Sequence, residues 1–301
     1  MAVSYTESDK HGTGRESTLE TSKIIAKNVG RVYNIRQNNG EGPKDFIAIK
    51  DVNLEVRQGE FLAIVGPSGC GKSTFLDMIA GLAHQTTGEI FIDNKLITGP
   101  ALDRGIVLQG YALFPWRTVR ENVEFGLETK GVPKSERGKI SQEYIELVGL
   151  RGFQDRFPHE LSGGMKQRVA IARALAYNPE VLLMDEPFAA VDAQTRETLQ
   201  DELLRVWEET HKTIVFVTHS IEEAVFLADR IAIMSSNPGT IKEIVDINLP
   251  RPRQNGEIRS SAEFGWIRHK VWELLQNEDT AKKKYLSDQD VAEAISPSAA
   301  L

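Results

Sequence analysis

The stretch Gly66-Pro67-Ser68-Gly69-Cys70-Gly71-Lys72-Ser73 fits the pattern G-x-x-x-x-G-K-[ST]. Glycines at these places let the backbone curl until several N–H groups converge on phosphate oxygens. The next residues, from Lys72 to about Ala80, are expected to be helical, and the dipole at the start of that helix also favours an anion. In this setting Lys72 would reach the β- and γ-phosphates of a nucleotide, and the Ser73 hydroxyl would ligate its Mg²⁺. Residues Gly66 to Thr74 are therefore candidate nucleotide contacts. The alternative is a Gly-rich turn before a helix. The apolar run Phe61-Leu62-Ala63-Ile64-Val65 just before the loop reads as a buried strand, and this context favours the phosphate reading.

Two further sites follow apolar runs. Val181-Leu182-Leu183-Met184 leads into Asp185 and Glu186. Carboxylates at the end of a parallel strand stand where open α/β sheets bind ligands. There Asp185 would hold Mg²⁺, directly or through water, and Glu186 would orient and deprotonate an attacking water. A solvated strand end is the competing reading, and the phosphate loop weighs against it. Thr213 to Thr218 is likewise followed by His219, placed to hydrogen-bond a γ-phosphate, although a single histidine is more often structural. Ser220 and Glu223 have the spacing of a capping box. Leu161-Ser162-Gly163-Gly164 precedes a helical segment, Met165 to Tyr177, and forms a second glycine-rich helix start. From spacing alone, an ordinary N-cap is the favoured reading of Ser162.

Phosphate loop, Gln109, Leu161-Ser162-Gly163-Gly164, Asp185-Glu186, Val191-Asp192 and His219 occur in the order found in the ABC ATPase family, and the chain resembles that family over roughly residues 24–248. The resemblance implies an α/β P-loop cassette with a parallel sheet core, an antiparallel β subdomain and an inserted helical subdomain. It implies ATP and Mg²⁺ as ligands. It also implies roles for single residues: Tyr33 stacks on adenine, and Gln109 contacts Mg²⁺ and the water and senses a transmembrane partner. Ser162, Gly163 and Gly164 close over the γ-phosphate of the nucleotide held by a second ATPase subunit. Asp192 lies at the dimer seam, and His219 is the histidine that reads the γ-phosphate. The chain departs from the family's usual pattern at Met165, where Gln is most frequent, and at Ala189-Ala190-Val191-Asp192, where Ser-Ala-Leu-Asp is common. Neither change removes a charged group.

A narrower resemblance links the chain to importer ATPases for nitrate, sulfonate, taurine and bicarbonate. It rests on Asp103-Arg104-Gly105-Ile106-Val107-Leu108-Gln109, Leu113-Phe114-Pro115-Trp116, Glu121-Asn122-Val123, Leu249-Pro250-Arg251-Pro252-Arg253 and Met165. This implies transmembrane permease subunits as partners, a solute-binding protein as an indirect partner, and a station at the cytoplasmic side of the membrane. A soluble ABC ATPase acting on ribosomes or nucleic acid, or an exporter ATPase, are the competing classes. The chain shows one cassette and no heptad run.

Elements must hold these residues in place. Three buried-strand runs (61–65, 181–184, 213–217), each followed by a polar segment and a helical pattern, argue for a parallel sheet with covering helices. Residues 46–56 alternate apolar and polar, the pattern of an antiparallel strand. About 112–177 reads mostly helical, as an inserted subdomain. Residues 1–22 are expected to form a disordered tail, 37–44 a turn-rich loop, 23–250 the ATPase domain, and 251–301 a partly helical extension, with a helix around Phe264 to Leu275. A formal net charge of -7 argues against general affinity for nucleic acid, so no nucleic-acid partner is expected. No apolar run approaches the length that spans a bilayer. Cys70 is the single cysteine, and its place near a helix start and Lys72 leads to the expectation of a lowered thiol pKa and ready labelling.

Overall fold

The computed structural model describes residues 22–35, 43–253 and 257–276. The expected tail 1–22, except Ser22, lies outside them, as do most of the 37–44 loop and residues 277–301.

The alternating segment forms β2 (Lys44–Arg57), paired antiparallel with β1 (Ser22–Ile35). With β4 (Thr87–Ile92) and β5 (Lys95–Leu96) these make a four-stranded antiparallel sheet in the order β2-β1-β4-β5. Each continuous apolar run becomes a central strand. These are β3 (Phe61–Val65), β7 (Val181–Asp185) and β8 (Thr213–Val217), and β3 and β8 are buried along their whole length. They join β6 (Arg104–Val107), β9 (Arg230–Met234) and β10 (Ile241–Asp246) in a six-stranded sheet ordered β10-β9-β3-β8-β7-β6. All pairs in it are parallel except β10 with β9.

A strand buried on both faces must be apolar on both, and β3 divides its residues between two cores. Phe61, Ala63 and Val65 pack toward the helices α2 (Val119–Thr129), α4 (Gly163–Ala176), α5 (Ala193–Thr210) and α6 (Ile221–Leu227). Leu62 and Ile64 pack toward α1 (Lys72–Ala80) and the antiparallel sheet. The strand ends are thus fixed from both sides. Between β6 and β7 the chain runs through α2, α3 (Lys134–Leu147) and α4. Thr118 opens α2 with a complete capping box to Glu121.

The residues after β10 fold back on the core. Helix α7, residues 262–276, buries Phe264, Ile267 and Val271. Arg253 is fully buried, and its guanidinium donates to the carbonyls of Val225, Phe226, Ala228, Ile247 and Leu249. Three of those carbonyls belong to the end of α6, where a cation complements the helix dipole. With no carboxylate among these partners, burial pulls the Arg253 pKa down to about 10.

Candidate nucleotide site

In the order β3-β8-β7 the three strands end side by side. Ile64 lies opposite Val217, and Val217 opposite Asp185. The phosphate loop, the carboxylate pair and the histidine therefore emerge from the same strand ends of one sheet. Gly66 must be glycine for packing reasons, since a Cβ there would stand 2.5 Å from the Met234 carbonyl oxygen and 2.8 Å from Cys70 Sγ. Gly71 takes φ 102° at the N-cap of α1, where no side chain caps the helix. The first N–H groups of α1 are left for a ligand by helix geometry. Lys72 folds over the loop, donating to the carbonyls of Gly66 and Pro67, each at 2.9 Å. Those are weak acceptors beside phosphate oxygens, so an anion in the cradle can take the ammonium from them.

Cys70 differs from expectation. Its side chain turns under the loop, buried beside Gly66, with Lys72 Nζ 3.8 Å from the sulfur. Burial pushes the thiol pKa up, and the nearby lysine only partly offsets this. Proximity to a helix start and a lysine was legible in the sequence; the inward turn of the side chain was not.

Ser73 Oγ donates to Asp185 Oδ1 at 3.1 Å. Burial raises the Asp185 carboxyl, with the Ser73 hydrogen bond opposing it and the Glu186 charge adding to it. A divalent cation at this hydroxyl–carboxylate pair would relieve that penalty. Among the described residues no group of three or more His, Cys, Asp or Glu is gathered for a metal. The pair suits Mg²⁺, which keeps waters and takes phosphate oxygens for the rest of its shell. Glu186 follows at φ 42°, its N–H held by the Val217 carbonyl at 2.9 Å. A non-glycine residue in this region carries strain of a kind that clusters at functional sites. Its carboxylate Oε2 lies 3.2 Å from His219 Nδ1, so these two side chains share one place.

The box expected at α6 is only half formed. Ser220 Oγ accepts the Glu223 N–H as predicted. The Glu223 carboxylate, instead of reaching back to the Ser220 N–H, accepts the Thr218 hydroxyl at 2.6 Å, and that hydroxyl accepts the Ser220 N–H at 3.0 Å.

Gln109 is exposed in the turn after β6. The next residues are held in a rare conformation: Gly110, Tyr111 and Ala112 all have positive φ. Arg173 of α4 braces them, donating to the carbonyls of Tyr111 at 3.0 Å and Ala112 at 2.6 Å. Ser162 caps α4 through the Met165 N–H at 3.3 Å. A Cβ on Gly163 would lie 3.2 Å from Tyr111 Oη, and one on Gly164 would lie 2.6 Å from Thr195 Cγ2. The second glycine-rich helix start thus packs against the Gln109 turn and α5. Asp192 caps α5, accepting the Thr195 N–H at 3.0 Å. Tyr33 lies in β1 across from Phe46, with Arg31 stacked 4.5 Å from its ring.

The family model described as ABC transporter matches residues 49–189. The chain is 52% identical over 256 residues to an uncharacterized ABC transporter ATP-binding protein of Methanocaldococcus jannaschii, covering 85% of this chain and 92% of that protein. It belongs to the ABC transporter ATP-binding family. It is 46% identical over 246 residues to the nitrate import ATP-binding protein NrtD of Synechocystis sp., covering 80% of this chain and 92% of NrtD. Its fold is shared with a dimeric ATP-binding cassette in a post-hydrolysis state bound to ADP and Pi, at 36% identity and a TM-score of 0.65. That likeness covers 75% of this chain and all of the other. The chain is therefore an ATP-binding ATPase of transporter type built on the P-loop cassette. Sequence reasoning missed Arg173 and Arg196. Arg173 and Arg196 lie on regular helices, where charged residues are unremarkable until the fold shows what they touch.

Proposed function

We propose that the chain drives an importer for a small anion of the nitrate, bicarbonate or sulfonate type, hydrolysing MgATP at the cytoplasmic face of a membrane in partnership with permease subunits. The observation that carries the hydrolytic part is the convergence of Ser73–Asp185 and Glu186–His219 beside the uncapped phosphate loop. In this reading Lys72 and the backbone from Gly66 to Thr74 hold the phosphates. Ser73, Asp185 and Gln109 hold Mg²⁺, which neutralises charge on the β- and γ-phosphates when bound. Glu186 takes the proton of the attacking water, and His219 holds the γ-phosphate and orients Glu186. Tyr33 stacks on adenine. Ser162, Gly163, Gly164 and Asp192 serve the nucleotide of a second ATPase subunit.

Residues 23–250 form the cassette in this reading, and 251–301 an appended segment. Among the described residues no helix is long and apolar enough to cross a membrane, so a polytopic partner would carry the solute. An aromatic group next to the Gln109 turn supports its docking there. Trp116 is 71% exposed, and Phe114 lies between Trp116 and Phe125 at ring distances of 5.7 and 4.7 Å. Exposed aromatics gathered in this way mark contact surfaces. Likeness to the nitrate import protein NrtD supports nitrate within this class, and the narrower sequence resemblance supports the other solutes. The test is uptake of labelled nitrate, bicarbonate and sulfonate into vesicles holding the co-purified membrane partner. ATP-dependent uptake of one of them, abolished by Glu186→Gln, supports the proposal. Turnover without uptake of any of the three overturns the solute class.

A further inference from the structure

The bonds behind His219 use side chains that have no part in the reaction proposed above. Glu223, in the first turn of α6, is 7% exposed. One carboxylate oxygen accepts Thr218 Oγ1 at 2.6 Å, and the other lies 3.7 Å from Arg196 Nε. Gln200 of α5 lies beside this carboxyl. Thr218 accepts the Ser220 N–H, and Ser220 accepts the Glu223 N–H, so both neighbours of His219 are tied to Glu223. On its far side Arg196 donates through its second terminal nitrogen to the Val191 carbonyl at 2.9 Å, one residue before Asp192. Gln200 Oε1 accepts Arg259 at 2.7 Å, and Arg259 lies 3.6 Å over the Phe226 ring. One buried carboxylate thus joins the His219 loop and the turn entering α5.

A carboxylate is an expensive choice at such a position. The next four residues of α6, Ala224 to Leu227, are all buried and apolar, and a fifth apolar residue would pack without the cost of removing a charge from water. What the charge adds is direction: it holds Thr218 and Arg196 at fixed points, and with them the ends of two loops.

We propose that Glu223 is a positioning residue that sets the His219 side chain against Glu186, and that Arg196 links this setting to residues 189–192. The proposal rests on the ATPase reading of the Glu186–His219 site. A change in the loop before Asp192 then moves His219 through Arg196 and Glu223, within one chain and without passing through the nucleotide.

Purified full-length Glu223→Gln, which keeps the shape and loses the charge, tests this beside Arg196→Ala, the double variant, and Thr218→Ser and Thr218→Val. Turnover should fall about ten-fold in Glu223→Gln and in Arg196→Ala, with KM for MgATP changed less than about two-fold. The double variant should be no slower than the worse single one, because coupled residues are not additive. Thr218→Ser should retain turnover and Thr218→Val lose it. Histidine ring NMR signals of the nucleotide-free chain, assigned to His219 by their loss in His219→Ala, should shift in Glu223→Gln. This second readout does not depend on hydrolysis. A wild-type chain with no turnover counts against the ATPase reading, while the His219 signals still decide the positioning. Unmoved His219 signals in Glu223→Gln, or fully additive losses in turnover, overturn it.

Discussion

α1 and α4 both have a glycine where the helix starts, as N-cap in α1 and as first residue in α4, and the two starts are finished differently. At α1 the N-cap is Gly71 itself, in a left-handed conformation, with no side chain closing the helix. Lys72 is buried over the loop and rests on carbonyls. At α4 the cap is Ser162, whose hydroxyl already accepts the Met165 N–H, and Ser162 and Gly163 are exposed. The first start leaves its backbone N–H groups for an acceptor from outside the helix. The second is satisfied by its own serine and presents a surface. Composition alone does not separate them. What separates them is whether the chain supplies the acceptor, and that difference fits one motif that binds a nucleotide within the chain and another that meets a nucleotide held elsewhere.

The sharpest way to break this contrast is to damage each start separately. Lys72→Ala should destroy the cradle, and Ser162→Arg should block the surface, so neither variant alone should trap MgATP. If each nucleotide lies between the cradle of one chain and the α4 start of another, a mixture behaves differently. One site of a mixed dimer joins both lesions, and the other is intact. Trapped nucleotide, measured in mixtures shown by tagging to contain both variants, should then reappear at one site per mixed dimer. No recovery would put both starts on the same ATP. The next largest effect confines itself to the α1 side. Glu186→Gln should leave MgATP binding intact and lower turnover by about 10²–10⁴. Near-wild-type hydrolysis in a steady-state assay would remove Glu186 as the base.

These contrasts were partly legible before the fold was known. Phe61–Val65 is apolar throughout and Thr213–Val217 is apolar after its first residue, and both became central strands, because a strand buried on both faces has no polar alternation to hide it. Lys72–Ala80 became α1 with the same ends. Ser162 was readable as a cap because a cap is a local bond. Glu223 was misread as half of a capping box for the opposite reason. Its carboxylate could turn to the N-cap N–H or to Thr218, and only packing of α5 against α6, which brings Arg196 and Gln200 close, settles the choice. Nothing local in the sequence marks Arg253 for burial, yet it lies at the end of α6 among five carbonyls. Long-range contacts of this kind leave no periodic trace.

A smaller effect sharpens the α1 side of the comparison. If the cradle holds a whole nucleotide, the base needs a flat partner, and Tyr33 is the proposed one. Stacking of a base on an aromatic ring is worth about 1–3 kcal/mol, so Tyr33→Ala should raise the KM for MgATP by roughly 5- to 150-fold. Turnover at saturation should hold, because stacking is equal in ground and transition states. An unmoved KM would turn attention to Phe46, the cross-strand neighbour of Tyr33.

The smallest expected effect concerns Cys70, at the middle of the cradle. Two features compete there. The Lys72 ammonium favours the thiolate, and burial disfavours it; burial is the larger, and the thiol pKa is raised. Only the thiolate attacks a maleimide, so at neutral pH both the charge state and the access of Cys70 oppose labelling. The native chain should react at well under a tenth of the rate of the urea-unfolded chain, in which the single thiol is free in water. MgATP should slow it little further, since the barrier is the fold of the loop rather than occupation of the cradle. Because Cys70 contributes its backbone and a small buried side chain, Cys70→Ala should keep turnover within about two-fold of wild type, at a stability cost of about 1 kcal/mol from the small space left under Gly66. Rapid labelling of the folded apo chain, suppressed by MgATP, would mean that the thiol faces the ligand and that the loop opens in solution.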